Sequence, residues 1–257
     1  MKRTLIAGAA FASLLVATSA SAADLPVYTK APPVAVVYDW TGFYIGTNLG
    51  YSFGRGTTDG TQTIGSLVAA LTTVTPMSGR ADVNGFIGGG QLGYNWQHGA
   101  WVFGLEGDIQ FSNERGSGSV CTAACPAGLV FTRDYKLDWF GTARGRVGFL
   151  PAERILLYAT GGLAYGGFSG SSSTLPMDFG TWSQTNVGWT VGAGAEAALG
   201  ANWSVKLEYL YMDLGSVGGS SATVGLNKWV FDTKFTDNIV RVGLNYKFGG
   251  GPIVSRY

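Results

Sequence analysis

The sequence predicts an all-β protein: an eight-stranded antiparallel up-and-down transmembrane β-barrel. Seven stretches and an eighth near the C-terminus alternate small or polar residues with large apolar ones, which gives a strand one face for lipid and one for a polar interior. No segment after the leader is continuously apolar for the ~20 residues that a membrane-spanning helix needs. The connections alternate long and short, as in outer-membrane barrels with long outer loops and tight periplasmic turns.

The chain opens with Lys2 and Arg3, an apolar run over 5–16, and Ala20-Ser21-Ala22. A basic start, a short apolar core and a small-residue end describe a secretory signal over 1–22, too short for an anchor helix. Residues 23–39 carry Pro26, Pro32 and Pro33 without a period and read as an extended periplasmic lead-in. The barrel is expected over 40–248, followed by an extension at 249–257.

In the first strand, 42–54, Gly42, Tyr44, Gly46, Asn48, Gly50, Ser52 and Gly54 share one parity, and Phe43, Ile45, Thr47, Leu49, Tyr51 and Phe53 the other. The second, 85–96, turns Phe86, Leu92, Tyr94 and Trp96 outward and Ile87, Gln91 and Asn95 inward. The third, 101–111, sets Trp101, Phe103, Leu105, Ile109 and Phe111 against Gly104, Glu106, Asp108 and Gln110. The fourth, 137–149, is read with Leu137, Trp139, Val147 and Phe149 outward and Asp138, Thr142, Arg144 and Arg146 inward. The fifth (155–166) and sixth (188–199) are rich in glycine and alanine, with Leu157, Leu163, Tyr165, Trp189, Val191 and Leu199 outward. The seventh (203–212) sets Trp203, Val205, Leu207, Tyr209 and Tyr211 against Ser204, Lys206, Glu208 and Leu210. The eighth (239–248) faces Val240, Val242, Leu244, Tyr246 and Phe248 outward.

Long connections are expected at 55–84, 112–134, 167–186 and 213–236, and tight ones at 97–100, 150–154 and 200–202. Aromatics cluster at both strand ends as two interfacial girdles. They are Trp96, Trp101, Phe149, Trp203, Tyr246 and Phe248 on the periplasmic side, and Tyr51, Phe53, Phe111, Trp139, Tyr165, Trp189 and Tyr211 on the outer side. A soluble eight-stranded barrel would instead hold its large apolar side chains inside, whereas here charge shares a face with glycine.

An interior this narrow is filled by side chains, so inward charges should pair. Inward acids are Glu106, Asp108, Asp138, Glu196 and Glu208, and inward bases Arg144, Arg146, Lys206, Arg241 and Lys247, five of each. Glu196 and Lys206 stand equidistant from Ala201 and should face each other across a hairpin. Glu106 and Asp108 with Arg144 and Arg146, and Glu208 with Arg241, are the next expected pairs. Such a network reads as a polar plug; a solute path would need unpaired like charge or a continuous gap.

Without Lys2 and Arg3 the chain has 15 basic and 16 acidic side chains, which gives no electrostatic case for a nucleic-acid partner. Cys121 and Cys125 are candidates for a loop disulfide in an exported chain; a metal site lacks further ligands nearby. The run Gly88-Gly-Gly90-Gln-Leu-Gly93 fits a dinucleotide-binding pattern but lies inside an alternating strand with no helix after it. The single histidine, His98, sits in a turn with no serine beside it, so no catalytic residue, cofactor or metal is assigned. The apolar stretch 64–74 in the first long connection is compatible with a short helix, a strand extension or a contact surface.

The leader followed by Ala23-Asp24-Leu25-Pro26, the opening Trp40-Thr41-Gly42-Phe43-Tyr44-Ile45-Gly46, and the closing Arg241-Val242-Gly243-Leu244-Asn245-Tyr246-Lys247-Phe248 carry a family likeness. Over nearly the whole mature chain, the sequence resembles the small porin-like outer-membrane proteins of alphaproteobacteria, the RopB-like group. The resemblance implies an eight-stranded barrel in the outer membrane, abundant in the envelope and exposed to hosts through its loops. It further implies a C-terminal aromatic read by the barrel assembly machinery, with Tyr246 and Phe248 as candidates. Because residues 249–257 come after it, Phe248 and Tyr257 both remain open for that role.

The leading expectation is a non-enzymatic outer-membrane protein that anchors surface loops, contributes to envelope integrity and meets the host or environment. Its partners would be outer-membrane lipid and lipopolysaccharide, the assembly machinery and a host surface. The second reading is small-ligand binding at the loops, with hemin a candidate because the resemblance extends to some hemin-binding relatives. Here the loops lack histidine, leaving tyrosine, methionine or cysteine as axial ligands, such as Met77, Tyr135 or Met177. A narrow channel is the third reading, although eight strands leave little aqueous space.

Overall fold

The computed structural model describes residues 38–64, 73–122, 131–174, 177–224 and 227–249. The signal at 1–22, the lead-in before Tyr38, Cys125, residues 65–72 of the first apolar connection, and Tyr257 lie outside the described residues. Cys121 is in a strand, but its side chain is likewise not described.

Eight strands alternate in direction: β1 (Gly42–Ile64), β2 (Thr73–His98), β3 (Trp101–Thr122), β4 (Phe131–Ala152), β5 (Ile155–Thr174), β6 (Met177–Ala198), β7 (Trp203–Val224) and β8 (Asn227–Lys247). Each pairs with its sequence neighbours, and β1 pairs with β8 to close the ring, which removes free sheet edges within the apolar band. At one end the turns are tight. Gly99, with φ 59°, takes the left-handed position that lets His98 pair with Trp101. Leu199 donates to the Trp203 carbonyl at 2.9 Å across the β6–β7 turn.

The strands are far longer than the sequence pattern suggests. The connections expected at 55–84, 112–134, 167–186 and 213–236 are mostly strand, and only 65–72, 123–130, 175–176 and 225–226 separate the hairpins at that end. A strand of 22 residues tilted by ~40° rises about 55 Å, roughly twice the ~25 Å apolar band of a transmembrane barrel. The extra length changes polarity. Below the outer girdle, β2 presents Leu92 to the exterior and buries Gln91 and Asn95. Above it, Arg80, Asp82 and Asn84 are exposed and Ala81 and Val83 are buried. On β8, Val240 and Val242 face out beside buried Arg241, whereas higher up Asp232 and Lys234 face out beside buried Phe231 and Phe235. The outer face matches its solvent: apolar in lipid, polar in water. Beyond the bilayer the wall therefore closes over an apolar core of its own, as a soluble barrel does.

Two irregularities correct the parity read for the fourth strand. The pairing shifts between Phe111 and Glu114 on β3, and between Leu137 and Trp139 on β4. An extra residue at such a bulge reverses which face the neighbouring side chains take. Leu137, expected to face outward, is fully buried, and Asp138, expected inside, is partly exposed on the outer face with Lys136.

The wall also has a seam. β6 and β7 pair only from Trp189↔Asp213 to Ala198↔Ser204. Above that, β6 continues against β5 and β7 against β8. Gly215, with φ 67°, starts the divergence, and the Asn186 side-chain amide spans it by donating to the Leu214 carbonyl at 3.2 Å.

Candidate functional site

The interior is filled in layers, beginning with the tail that precedes β1. Tyr38 and Trp40 are buried, stack edge to face at 4.8 Å between centroids, and pack with Val102, Leu156, Tyr158 and Ala198. The Trp40 indole donates to the Glu153 carbonyl at 3.2 Å, and its backbone N–H donates to Gln97 Oε1 at 2.8 Å. Lys247 donates to the Asp39 carbonyl and lies 4.6 Å from the Tyr38 ring centroid. An aromatic stopper thus seats in the short-turn mouth.

Above it lies the charge cluster. Glu106 is its hub: both carboxylate oxygens accept from Lys206 Nζ at 2.9 Å, Tyr44 donates at 2.7 Å, and Arg144 is in contact. Asp108 accepts from Arg144 at 2.9 Å, Arg241 at 3.0 Å and Thr142 at 2.7 Å. Glu208 accepts from Arg241 Nε at 2.6 Å, Arg144 at 3.1 Å and Tyr158 at 3.0 Å. Glu196 accepts from Arg146 at 3.1 Å and Asn245 at 2.8 Å, and Ser204 also donates to it. Four acids and four bases, all nearly without solvent contact, share these bonds, which offsets the desolvation that would otherwise expel them. An amide relay joins them to the wall: Asn48 donates to Gln91 at 2.9 Å, and Gln91 donates to Asn245.

Side chains of this size fit because inward positions on facing strands are glycine. A Cβ on Gly46 would stand 2.6 Å from the Leu244 carbonyl and 2.9 Å from the Gln91 amide. Higher still, Val83, Ile87, Leu137, Phe140, Phe168, Leu210, Met212, Leu214, Phe235 and Ile239 form a dry apolar cluster. It is crowned by a knot in which Thr58 lies 2.9 Å from both the Tyr135 hydroxyl and Thr233 Oγ1, with Arg133 5.0 Å from the Phe231 ring centroid.

The structure brings together Glu106, Asp108, Arg144, Arg146, Glu196, Lys206, Glu208 and Arg241. Glu196 and Lys206 are register partners, but their charged ends diverge, one to Arg146 and the other to Glu106. Lys247 points inward yet serves the tail rather than an interior acid. Asp138 leaves the cluster because of the bulge, and instead pairs with Lys136 and accepts from Ser169 at 2.6 Å. Met77 and Tyr135 are buried; the Met177 side chain is not described. His98 is exposed at the hairpin end.

Sequence reasoning missed the stopper residues Tyr38 and Trp40, and the buried acids Glu114 and Asp237, which stand near Ser52 at the level of the apolar cluster, Glu114 opposite Leu137 and Asp237 opposite Met212. Continuing the parity of Arg241 and Ile239 two positions would have found Asp237; Glu114 is hidden by the β3 bulge. The outward rings form two belts. Trp101–Phe149 and Trp203–Tyr246 lie at centroid distances of 5.5 and 5.0 Å at the short-turn end. Tyr51–Phe86, Trp139–Tyr165 and Trp189–Tyr211 lie at 5.0, 6.0 and 5.5 Å further up. Between the belts Leu49, Leu92, Leu105, Leu163 and Val242 are more than half exposed.

A closed antiparallel ring with an apolar outer band, paired aromatic belts and charge inside is an integral outer-membrane β-barrel. The chain belongs to the outer membrane protein beta-barrel domain family, whose model matches residues 9–248. It is 41% identical to the 31 kDa outer-membrane immunogenic protein of Brucella melitensis biotype 1, over 96% of this chain and 100% of that one. It is 33% identical to the 22 kDa outer membrane protein of Rhizobium leguminosarum bv. viciae, over 84% of this chain and 82% of that one. The 25 kDa outer-membrane immunogenic protein of Brucella abortus biovar 1 matches at 30% identity, over 96% of this chain and 100% of that one. The chain is an outer-membrane protein of this alphaproteobacterial group.

Proposed function

We propose that the protein is a sealed, non-enzymatic barrel that carries its long-stranded end on the cell surface, contributing to envelope integrity and to contact with a host or the environment. The observation that carries this reading is the stacking of the aromatic stopper, the charge cluster and the apolar core along one bore. A channel needs a continuous polar gap, and each of these layers fills the width with packed or ion-paired side chains. The immunogenic character in the names of the Brucella relatives supports surface exposure of the corresponding end. Tyr246 and Phe248, which stack at 5.2 Å on the outer face, supply an aromatic signal for the assembly machinery.

Planar-bilayer recording of refolded protein tests the seal. The expected result is no steady conductance for the native chain, and none for Glu196→Gln or Lys206→Gln. Steady ion-selective conductance that those substitutions alter would overturn the reading and make the inward charges a permeation path.

A further inference from the structure

On the outer wall above the upper aromatic belt, β3 to β6 enclose a groove of about 940 Å³. The register places one row of side chains across it: Arg115 on β3 opposite Lys136 on β4, Lys136 opposite Ser169 on β5, and Ser169 opposite Ser183 on β6. Arg115 lies two outward positions above Phe111, which puts the row ~10 Å beyond the belt, in the head-group layer of the outer leaflet.

Two cations directly opposite each other on one face repel. Lys136 is paired with Asp138; Arg115 has no carboxylate within ion-pair distance among the described residues and shares only the longer-range attraction of the same Asp138, so one carboxylate serves two cations. The remaining lining is hydroxyl-rich and includes Asp134, which accepts from Ser171 at 3.2 Å. An arginine beside a lysine suits a phosphate, and serines with an acid suit sugar hydroxyls. The mixture fits a phosphorylated sugar better than a bare anion.

Directly beneath, on the lipid-facing wall, lies a second groove of about 500 Å³. Gly90, Gly107 and Ala143 leave it shallowly hollow between Ile45, Leu92 and Ile109, and Tyr165 of the belt stands beside it. β3, β4 and β5 line both grooves, so a phosphosugar seated above can lay an acyl chain below.

We propose that these two grooves form one binding site for an anionic glycolipid of the outer leaflet, with Arg115 and Lys136 holding a sugar-linked phosphate and the Gly90–Gly107–Ala143 hollow receiving an acyl chain. The assignment rests on the reading that the long-stranded end faces outward, and it adds a defined ligand class and site to that reading.

Native mass spectrometry of detergent-purified protein, offered an acylated bisphosphorylated glucosamine disaccharide, tests it. The native chain should retain one glycolipid. Arg115→Ala/Lys136→Ala should lower its affinity about tenfold or more, the loss of a charge-assisted bond. Lys234→Ala, at an exposed cation on β8, should leave it unchanged. Ala143→Trp, which fills the lower hollow, should also weaken retention. Equal retention by native and double-variant chains would overturn the site. Equal retention of phosphatidylglycerol would overturn the sugar requirement, and equal affinity for glucosamine 1-phosphate would overturn the lipid source. Heat-modifiable gel mobility checks that each variant has refolded. Orientation is read separately: Lys234→Cys in a Cys121→Ser/Cys125→Ser background should react with an impermeant maleimide on intact cells. Loss of that labelling would sink the surface reading independently of lipid retention.

Discussion

Replacing Glu106 with glutamine removes the hub of the interior while keeping its volume. Lys206 Nζ stands 2.9 Å from both Glu106 oxygens, Arg241 at 3.6 Å and Arg146 at 3.8 Å, and Tyr44 donates at 2.7 Å. Glutamine offers one acceptor oxygen and turns an NH₂ group toward cations. The central cluster changes from four acids and four bases to three and four, with Lys206 fully buried and 4.0 Å from its next carboxylate, Glu208. Breaking a buried pair from one side costs ~3–5 kcal/mol, because the partner stays buried and charged. At a slope of ~2 kcal/mol per M, the urea midpoint should fall by roughly 2 M. The assay is equilibrium folding into lipid vesicles followed by tryptophan fluorescence, with heat-modifiable mobility as a second probe. Glu106→Gln/Lys206→Met removes both charges and should recover at least about half of the loss, since an apolar replacement of the pair leaves no orphan. A single-variant loss below ~1 kcal/mol, with no recovery in the double, would refute the view that Glu106 and Lys206 stabilise each other in a dry bore.

Trp40→Ala should destabilise by ~3–5 kcal/mol, the range for truncating a buried aromatic, and should expose the short-turn mouth to quenchers added on that side. An unchanged midpoint would show that the stopper does not seat in the bilayer. Asp138→Asn should cost less than ~1 kcal/mol, because its pair with Lys136 is solvated; a loss as large as that of Glu106→Gln would return Asp138 to the interior and contradict the β4 bulge. Gly46→Val should block assembly, since even a Cβ there meets the Leu244 carbonyl at 2.6 Å, whereas Gly145→Val, with no atom within 4 Å of its Cβ, should fold normally. Yields of the heat-modifiable form in vesicles distinguish the two.

The membrane-spanning half is legible because lipid outside and glycine, amide and charge inside are unlike each other, and the pleat shows that contrast at every second residue. Tight turns set the register, so Glu196 opposite Lys206 can be read from their distance to Ala201. The destination of the side chains cannot: a lysine crosses a bore this narrow as easily as it reaches its neighbour, and Lys206 spans to Glu106. Parity counting misplaces Asp138 because it assumes an unbroken ladder, and a bulge leaves no compositional mark in the run from Leu137 to Phe140.

The outer half escapes the pattern for a deeper reason. Alternation persists along β2 from Trp96 to Met77, but its sense reverses near Phe86, so a template fixed on large residues outward ends the strand there. The surroundings of the wall cause the reversal. Within the bilayer, lipid solvates apolar side chains and the bore can be polar. Above it, water surrounds the wall, and the apolar residues that stabilise the fold have only the inside left. Val83, Phe168, Leu214 and Phe235 thus form a dry cap over the charged layer. That cap limits water reaching Glu106 and its partners from the outer end, while Trp40 limits it from the other. The low exposure of the charge cluster is therefore a consequence of the polarity reversal. It also makes the cap testable: Phe235→Ala should leave the belts intact yet speed hydrogen exchange at the backbone amides of Asp108 and Arg241. Unchanged exchange there, in a variant that still folds, would mean that the ion pairs exclude water without help from the apolar core.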